Sequence, residues 1–127
     1  LRRNEYAGSE NVTAENMFNS PDGLIIDETG LVWIQTDGNY SNEGDFAGMG
    51  NNQMLCADSV TGEIRRFLVG PNECEITGMT WSSDRRTIFV GVQHPGEKGN
   101  SSWPGGGNTV PRSSLIAINR QDGRQIV

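Results

Sequence analysis

Short apolar runs alternate with polar, glycine-containing turns along the chain after residue 19. The runs are rich in β-branched and aromatic residues, which favour strands. GLIID and LVWIQTD, for example, flank Glu28-Thr29-Gly30, where glycine accepts the positive φ that a tight turn needs. The pattern predicts eight strands, at residues 23–27, 31–37, 53–58, 63–69, 75–81, 87–93, 114–119 and 124–127. The protein is therefore predicted to be all-β.

The eight predicted strands form two units of the same design. In each unit a hairpin is followed by a long glycine-rich loop, residues 38–51 and 94–111, and then by a second hairpin. The last turns also match, with Gly62 aligned to Gly123. Repeated units of four antiparallel strands are typical of β-propeller blades. An eight-stranded sandwich is the alternative, but the matching loop positions favour two four-stranded blades.

The two units predict blade-like domains at residues 20–70 and 71–127, preceded by a linker or partial strand at residues 1–19. Two blades cannot close a propeller ring, which needs about four to eight. We therefore expect the chain to be a section of a larger protein or to complete a ring with other copies. Its open sheet edges would favour self-association.

Composition argues against several functions. The chain has 127 residues with 16 acidic and 10 basic side chains, and its net charge of -6 disfavours nucleic-acid binding. No apolar run approaches the ~18–20 residues of a membrane span, and no signal sequence is expected within these residues. Cys56 and Cys74 are expected to be free, apolar-packed thiols, and neither lies in a CxxC motif that would suggest zinc.

Strand order predicts a cluster of polar residues at one rim of the two sheets. In an up-and-down unit, the start of the first strand, the end of the second and the start of the third share one end. The residues that this rule places at the rim of the long loops are Asp22, Asp37, Glu75, His94 and Arg112. Carboxylates with one imidazole suit hard cations such as Ca²⁺, or iron.

Three of the rim residues also have a ready structural alternative. Asp22 after a proline is a good turn former, Asp37 could end a strand, and His94 could bond to loop backbone. The segment that begins at Asp37 alternates oxygen side chains like a calcium loop, but Asn42 and Gly48 break the EF-hand pattern. Glu73 is expected to be solvated.

Four segments of the chain resemble the C-terminal part of the PhoX-type alkaline phosphatases. They are SPDGLIIDETGLVWIQTDG (20–38), NNQMLCADSVTGEIRRFLVGPNECEITG (51–78), FVGVQHPGE (89–97) and WPGGGNTVPRSSLIAI (103–118). The resemblance covers nearly the whole chain from residue 20, with the motifs in the same order. It implies a six-bladed propeller of several hundred residues, exported to the periplasm or outside by the twin-arginine route.

The resemblance also implies chemistry. PhoX-type enzymes hydrolyse phosphate monoesters with an iron pair and calcium ions held by acidic side chains and a cysteine. Glu75 in CEITG matches a metal-ligand position, Asp22 in SPD matches another, for calcium, and Asp37 is assigned with them. His94 and Arg112 lie in matching strings, and their rim position suggests catalytic roles.

Two positions depart from the family pattern: Gly23 stands where members often carry asparagine, and Glu73 where many carry glycine. The family's bridging cysteine, other acids and phosphate-holding basic residues would lie upstream of this chain. We therefore expect the chain alone to bind metals weakly and to hydrolyse little. The alternative is a non-catalytic propeller-type binding module with structural calcium, in which protein ligands would close the site.

Overall fold

The computed structural model describes residues 11–38, 43 and 47–126, and these form two antiparallel sheets. The first sheet has the order β1-β2-β3-β4 and the second β5-β6-β7, so each strand pairs with its neighbours in sequence. The strands are β1 (Pro21–Ile26), β2 (Leu31–Thr36), β3 (Gln53–Asp58), β4 (Ile64–Val69), β5 (Glu75–Trp81), β6 (Thr87–Gln93) and β7 (Ser114–Asn119). The described residues contain no helix that could cross a membrane. The predicted all-β class is confirmed.

The turn between β1 and β2 is built on one aspartate. Asp27 Oδ1 accepts hydrogen bonds from the backbone amides of Thr29 (2.8 Å) and Leu31 (3.1 Å). Its Oδ2 accepts one from Trp33 Nε1 at 2.9 Å, and Asp27 is buried. Gly30 completes the turn with a φ of 91°, a conformation that costs little only for glycine. The turn sequence therefore fixes both the hairpin and the orientation of the Trp33 ring.

The hydrophobic core lies between the two sheets. Its buried members come from both sheets and from the segments around them: Trp33, Met54, Cys74, Ile76, Ile88, Val90, Val92 and Ile126. The Trp33 ring meets Phe67 edge-on at a centroid distance of 5.0 Å and Trp81 at 6.3 Å. Such edge-to-face pairs add to the stabilisation from buried area. Face-to-face packing of consecutive antiparallel sheets is consistent with two neighbouring blades of a propeller.

The predicted eighth strand, residues 124–127, does not form over residues 124–126, and Val127 lies outside the described residues. The Arg124 amide donates instead to Asp122 Oδ1 at 3.1 Å, which extends the preceding turn. Ile126 is buried in the core, and its amide donates to the Arg85 carbonyl at 2.9 Å. The second sheet therefore has three strands rather than four, because Ile126 anchors this segment to the core and the segment does not pair with β7.

Residues 11–19 contain no strand and lie against β4. Asn16 Nδ2 donates to the Ile64 carbonyl at 2.8 Å, and an Arg66 guanidinium nitrogen donates to the Met17 carbonyl at 3.2 Å. These contacts attach the segment before the first hairpin to the outer strand of the first sheet.

Candidate metal and phosphate site

The first hairpin places Asp22 and Asp37 at the same end of its sheet. Pro21 pairs with Thr36 and Gly23 with Gln35, so Asp22 is the extra residue of a β-bulge, a feature that often re-aims a side chain. The Asp37 amide donates to the carbonyl of Ser20 at 3.1 Å. Both aspartates are exposed. Their carboxylates therefore start from neighbouring backbone positions at one open edge.

Close packing in this bulge accounts for a glycine at position 23. A Cβ at this position would overlap the Gln35 side-chain oxygen, which is buried beneath it. A larger residue beside Asp22, such as the asparagine that PhoX-type enzymes often carry there, would therefore require the buried Gln35 side chain to move.

The second hairpin brings Glu75 and His94 together. Glu75 pairs with Gln93 across β5 and β6, which leaves His94 immediately beyond the paired position. His94 Nε2 lies 3.6 Å from Glu75 Oε2, and the side chains are 30% and 14% exposed, respectively. His94 Nδ1 lies 3.2 Å from the carbonyl oxygen of Glu73, which orients the ring. The predicted adjacency of this carboxylate and imidazole is present.

The carboxylates of the two sheets share one electrostatic neighbourhood. Burial raises the pKa of Glu75, and the negative charge of Asp37 raises it further. His94 lowers this pKa, Asp22 raises it, and the net shift is upward. Asp37 and Asp22 therefore lie close enough to Glu75 to disfavour the charge of its carboxylate, which a cation would relieve.

Arg112 stands apart from this group. It lies exposed in the long loop before β7, and its amide donates to the Trp103 carbonyl at 3.1 Å. In the described part of the chain, no hydrogen bond or ion pair joins the Arg112 side chain to the four residues above. Strand order places it at the predicted rim, and its proposed role rests on that position alone.

Glu73 was expected to be solvated, and this expectation is wrong. The residue is 5% exposed, and its carboxylate accepts bonds from the Lys98 amide (2.7 Å), the Asn100 amide (3.2 Å) and Asn100 Nδ2 (2.5 Å). Burial raises the pKa of Glu73, but the bonds from Asn100 and Lys98 outweigh it and hold the pKa below its usual range. Glu73 therefore fastens the long loop that follows His94.

Strained backbone surrounds the site. Within the described residues, positive φ occurs at four non-glycine positions, and three of them are Ser20, Glu73 and His94. Each lies within two residues of a rim carboxylate or is itself a rim residue. Such conformations persist only where the surroundings enforce them, and they concentrate at functional sites.

The cysteines are free, as predicted. Cys74 is fully buried, and burial raises the pKa of its thiol to about 12. Cys56 is half-buried, and burial likewise raises its pKa. Neither thiol is therefore disposed to supply a thiolate ligand at neutral pH.

Beside Glu73 lies a polar cavity of ≈ 460 Å³, lined by Asn51, Asn72, Glu73 and Asn100. Its amides are linked, since Asn51 Nδ2 donates to Asn72 Oδ1 at 3.0 Å and Asn72 Nδ2 to the Asn100 carbonyl at 3.2 Å. Sequence reasoning missed this network. The only signal was the density of asparagine near the two long loops, which turns alone could explain.

The metal-ligand set is incomplete among the residues that the structure describes. Over 11–38, 43 and 47–126, no three His, Cys, Asp or Glu side chains converge closely enough to hold a metal ion. The rim carboxylates are oxygen donors of the type that hard cations prefer, but they form part of a ligand shell.

Together, the two antiparallel sheets and the acidic rim define an all-β chain consistent with propeller blades, with polar side chains gathered at one end. The chain belongs to the PhoX alkaline phosphatase family, since the family model for alkaline phosphatase PhoX matches residues 2–96. Among solved structures, it is similar to Pseudomonas fluorescens PhoX in complex with vanadate, a transition state analogue, at 56% sequence identity and a TM-score of 0.90. That match covers 99% of this chain and 23% of the other. No curated protein matches the chain.

Proposed function

We propose that this chain is a section of a metal-dependent phosphatase that hydrolyses phosphate monoesters. Membership of the PhoX family supports the activity, and the similar structure holds vanadate, named there as a transition state analogue. The observation that carries the proposal is the environment of Glu75. Its carboxylate is desolvated, lies near Asp37 and Asp22, and faces one imidazole. An acidic group kept in such surroundings has the properties expected of a cation ligand.

The donor set fits the metals that the resemblance implies. Asp22, Asp37 and Glu75 offer carboxylate oxygens, which suit Ca²⁺ and Fe³⁺. When bound, such ions would polarise the phosphoryl group and stabilise its developing charge. His94 lies beside Glu75 and could hold or release a proton at Nε2 next to that carboxylate. Arg112, a permanent cation in the long loop, is proposed to attract the substrate phosphate.

Two further observations support the view that the chain is a section. It spans about a quarter of the length of the similar solved protein. The outer faces of both sheets also expose apolar side chains, including Leu24 (62%), Ile26 (61%) and Leu115 (71%). Faces of this kind normally pack against another layer. We therefore propose that further blades supply the missing ligands and that the chain alone is nearly inactive.

Two expectations about the intact protein accompany this proposal. Export to the periplasm or the cell exterior follows from the family resemblance. For the chain itself, self-association through sheet edges is proposed because β1, β4, β5 and β7 are the end strands of the two sheets that the described residues form.

A cation titration tests the proposed site. Tb³⁺ luminescence and Ca²⁺ calorimetry should show weak binding to the chain, and Glu75→Gln should reduce the affinity at least about tenfold because one carboxylate ligand is lost. Glu28→Gln is the matched control, since Glu28 is an exposed acid in the β1–β2 turn at the opposite end of the sheet. Equal affinity in the two variants would remove Glu75 from the site.

A hydrolysis assay tests the proposed incompleteness. With p-nitrophenyl phosphate and added Ca²⁺ and Fe³⁺, the chain should show almost no turnover. Vigorous metal-dependent hydrolysis by the chain alone would contradict the proposal that other blades complete the site.

A further inference from the structure

Asn52 is a buried amide whose hydrogen-bonding capacity is completely used. It is 4% exposed and lies directly before β3. Its Oδ1 accepts bonds from Thr36 Oγ1 (3.0 Å) and the Gly38 amide (2.7 Å). Its Nδ2 donates to the carbonyls of Gly38 (3.1 Å) and Cys74 (2.9 Å). An asparagine side chain has two donor hydrogens and two acceptor positions, so none is left for water or ligand.

The partners of Asn52 are the peptide groups next to two rim carboxylates. The Gly38 amide belongs to the peptide bond that follows Asp37, and the Cys74 carbonyl belongs to the one that precedes Glu75. Asp37 follows β2 of the first sheet, and Glu75 begins β5 of the second. One side chain therefore bonds to the backbone beside both carboxylates, although the carboxylates belong to different sheets.

Packing holds this arrangement in place. The Gly70 amide donates to the Asn52 carbonyl at 2.9 Å, and a Cβ at Gly70 would overlap Cys74 Sγ. Gly38 has no space for a Cβ either, because Asn19 Oδ1 occupies it. Since every polar contact is satisfied and the surroundings are close-packed, the amide has a single orientation.

We propose that Asn52 is a positioning residue that fixes the distance between Asp37 and Glu75 and so preforms this chain's part of the cation site at the rim. The expected effect on metal binding rests on the proposed function. The positioning of the two segments rests on the hydrogen bonds of Asn52 alone. Outer-shell residues of this kind determine how closely ligands approach the geometry that a metal requires.

The test compares two neighbouring asparagines. Asn52→Asp removes both donors and adds one negative charge, and Asn51→Asp adds the same charge at a half-buried amide that bonds to Asn72 and Gly70. If Asn52 only supports the fold, the added charge should affect Tb³⁺ affinity equally in the two variants. We expect Asn51→Asp to retain or increase affinity and Asn52→Asp to lose at least about tenfold. Equal affinities in two folded variants would overturn the inference.

A second measurement does not depend on metal. In the unsubstituted protein, hydrogen exchange at the Gly38 amide should be slowed at least about tenfold relative to an unstructured peptide. Exchange at the unstructured rate would overturn the inference. Asn52→Asp should shift the Gly38 and Glu75 amide resonances, and Asn51→Asp should leave both in place; absence of this difference would also overturn it.

These measurements separate the two proposals. If the unsubstituted chain binds no Tb³⁺, the proposed cation site fails for the isolated chain, and the Gly38 and Glu75 resonances still decide whether Asn52 couples the two segments. If Asn52→Asp does not fold, Asn52→Ser against Asn51→Ser gives the same comparison with neutral, smaller side chains.

Discussion

At the rim formed by the short turns, aspartates accept hydrogen bonds from the turns around them, whereas at the rim of the long loops Glu75 faces other carboxylates. Bonds from Thr61 and Val60 hold the pKa of Asp58 below its usual value, and a bond from Ser82 does the same for Asp84. Burial and the charge of Asp37 raise the pKa of Glu75. The pKa values of these carboxylates at opposite ends of the same sheets are thus shifted in opposite directions.

The difference distinguishes structural acids from candidate ligands. A carboxylate that stabilises a fold gains donors on folding, and its charged form is favoured. Glu75 gains a neighbouring imidazole and loses water, and its charged form is disfavoured. Location at the rim is not sufficient to identify a candidate ligand. Glu73 lies two residues from Glu75, yet its carboxylate accepts hydrogen bonds from the loop donors of Lys98 and Asn100.

The largest effect that would test this distinction is at Asp27. Asp27→Asn should lower the free energy of unfolding by about 2 kcal/mol, since an amide cannot accept every bond that Asp27 accepts from Trp33, Thr29 and Leu31. Urea unfolding followed by tryptophan fluorescence measures it. Glu28→Gln, in the same turn but exposed, should have little effect, and a loss as large there would contradict the interpretation.

Acidic pH should remove this same contribution of Asp27 to the free energy of unfolding. Bonds from Thr29 and Trp33 lower the pKa of Asp27 despite its burial, so its stabilisation is complete above its usual value of 3.8 and is lost as the pH falls through the lower, folded value. Asp27→Asn lacks this titration and should lose less stability between neutral and acid pH than the unsubstituted protein.

The sequence predicted the strands and the rim because both follow from local rules. Seven of the eight predicted strands are present, with ends within two residues, since alternating apolar residues and turn glycines decide strand boundaries locally. Pairing of adjacent strands then placed Asp22 beside Asp37 and Glu75 beside His94. The prediction of the eighth strand was wrong because the apolar Ile126 is buried in the core and does not belong to a strand.

What sequence reasoning missed depends on long-range contacts. Asn52 bonds to Cys74, and Glu73 to Asn100, across gaps in the chain that no local pattern encodes. A buried polar residue and an exposed one look alike in a sequence, and only the packing of two sheets decides which is which.

At the rim of the long loops, substitution of Glu75 should change the stability less than Asp27→Asn does, and in the opposite direction. Glu75→Gln should raise the free energy of unfolding of the metal-free chain by up to about 1 kcal/mol, because it removes a charge that burial and Asp37 disfavour. For the same reason, the Glu75 contribution should become more favourable as the pH falls through its raised, folded pKa, since the folded state then binds the proton first. Urea unfolding at several pH values, with chelator present, measures both. A loss of stability on Glu75→Gln at neutral pH would place Glu75 with the structural acids.

The smallest expected effect on stability is at Asp122 in the short-turn rim, where the carboxylate is hydrogen-bonded but exposed to solvent. Asp122 pairs with Arg120 at 2.8 Å and Arg124 at 2.7 Å, and Arg120 in particular lowers the pKa of Asp122. The pairs are exposed, and exposed ion pairs contribute little and are screened by salt. Asp122→Asn should therefore shift the urea midpoint only slightly, and 1 M NaCl should abolish the shift. The Asp27→Asn effect should persist in that salt because the bond from Trp33 is buried and those from Thr29 and Leu31 are partly buried. A salt-resistant loss at Asp122 as large as that at Asp27 would mean that a lowered pKa reports stability regardless of solvent exposure.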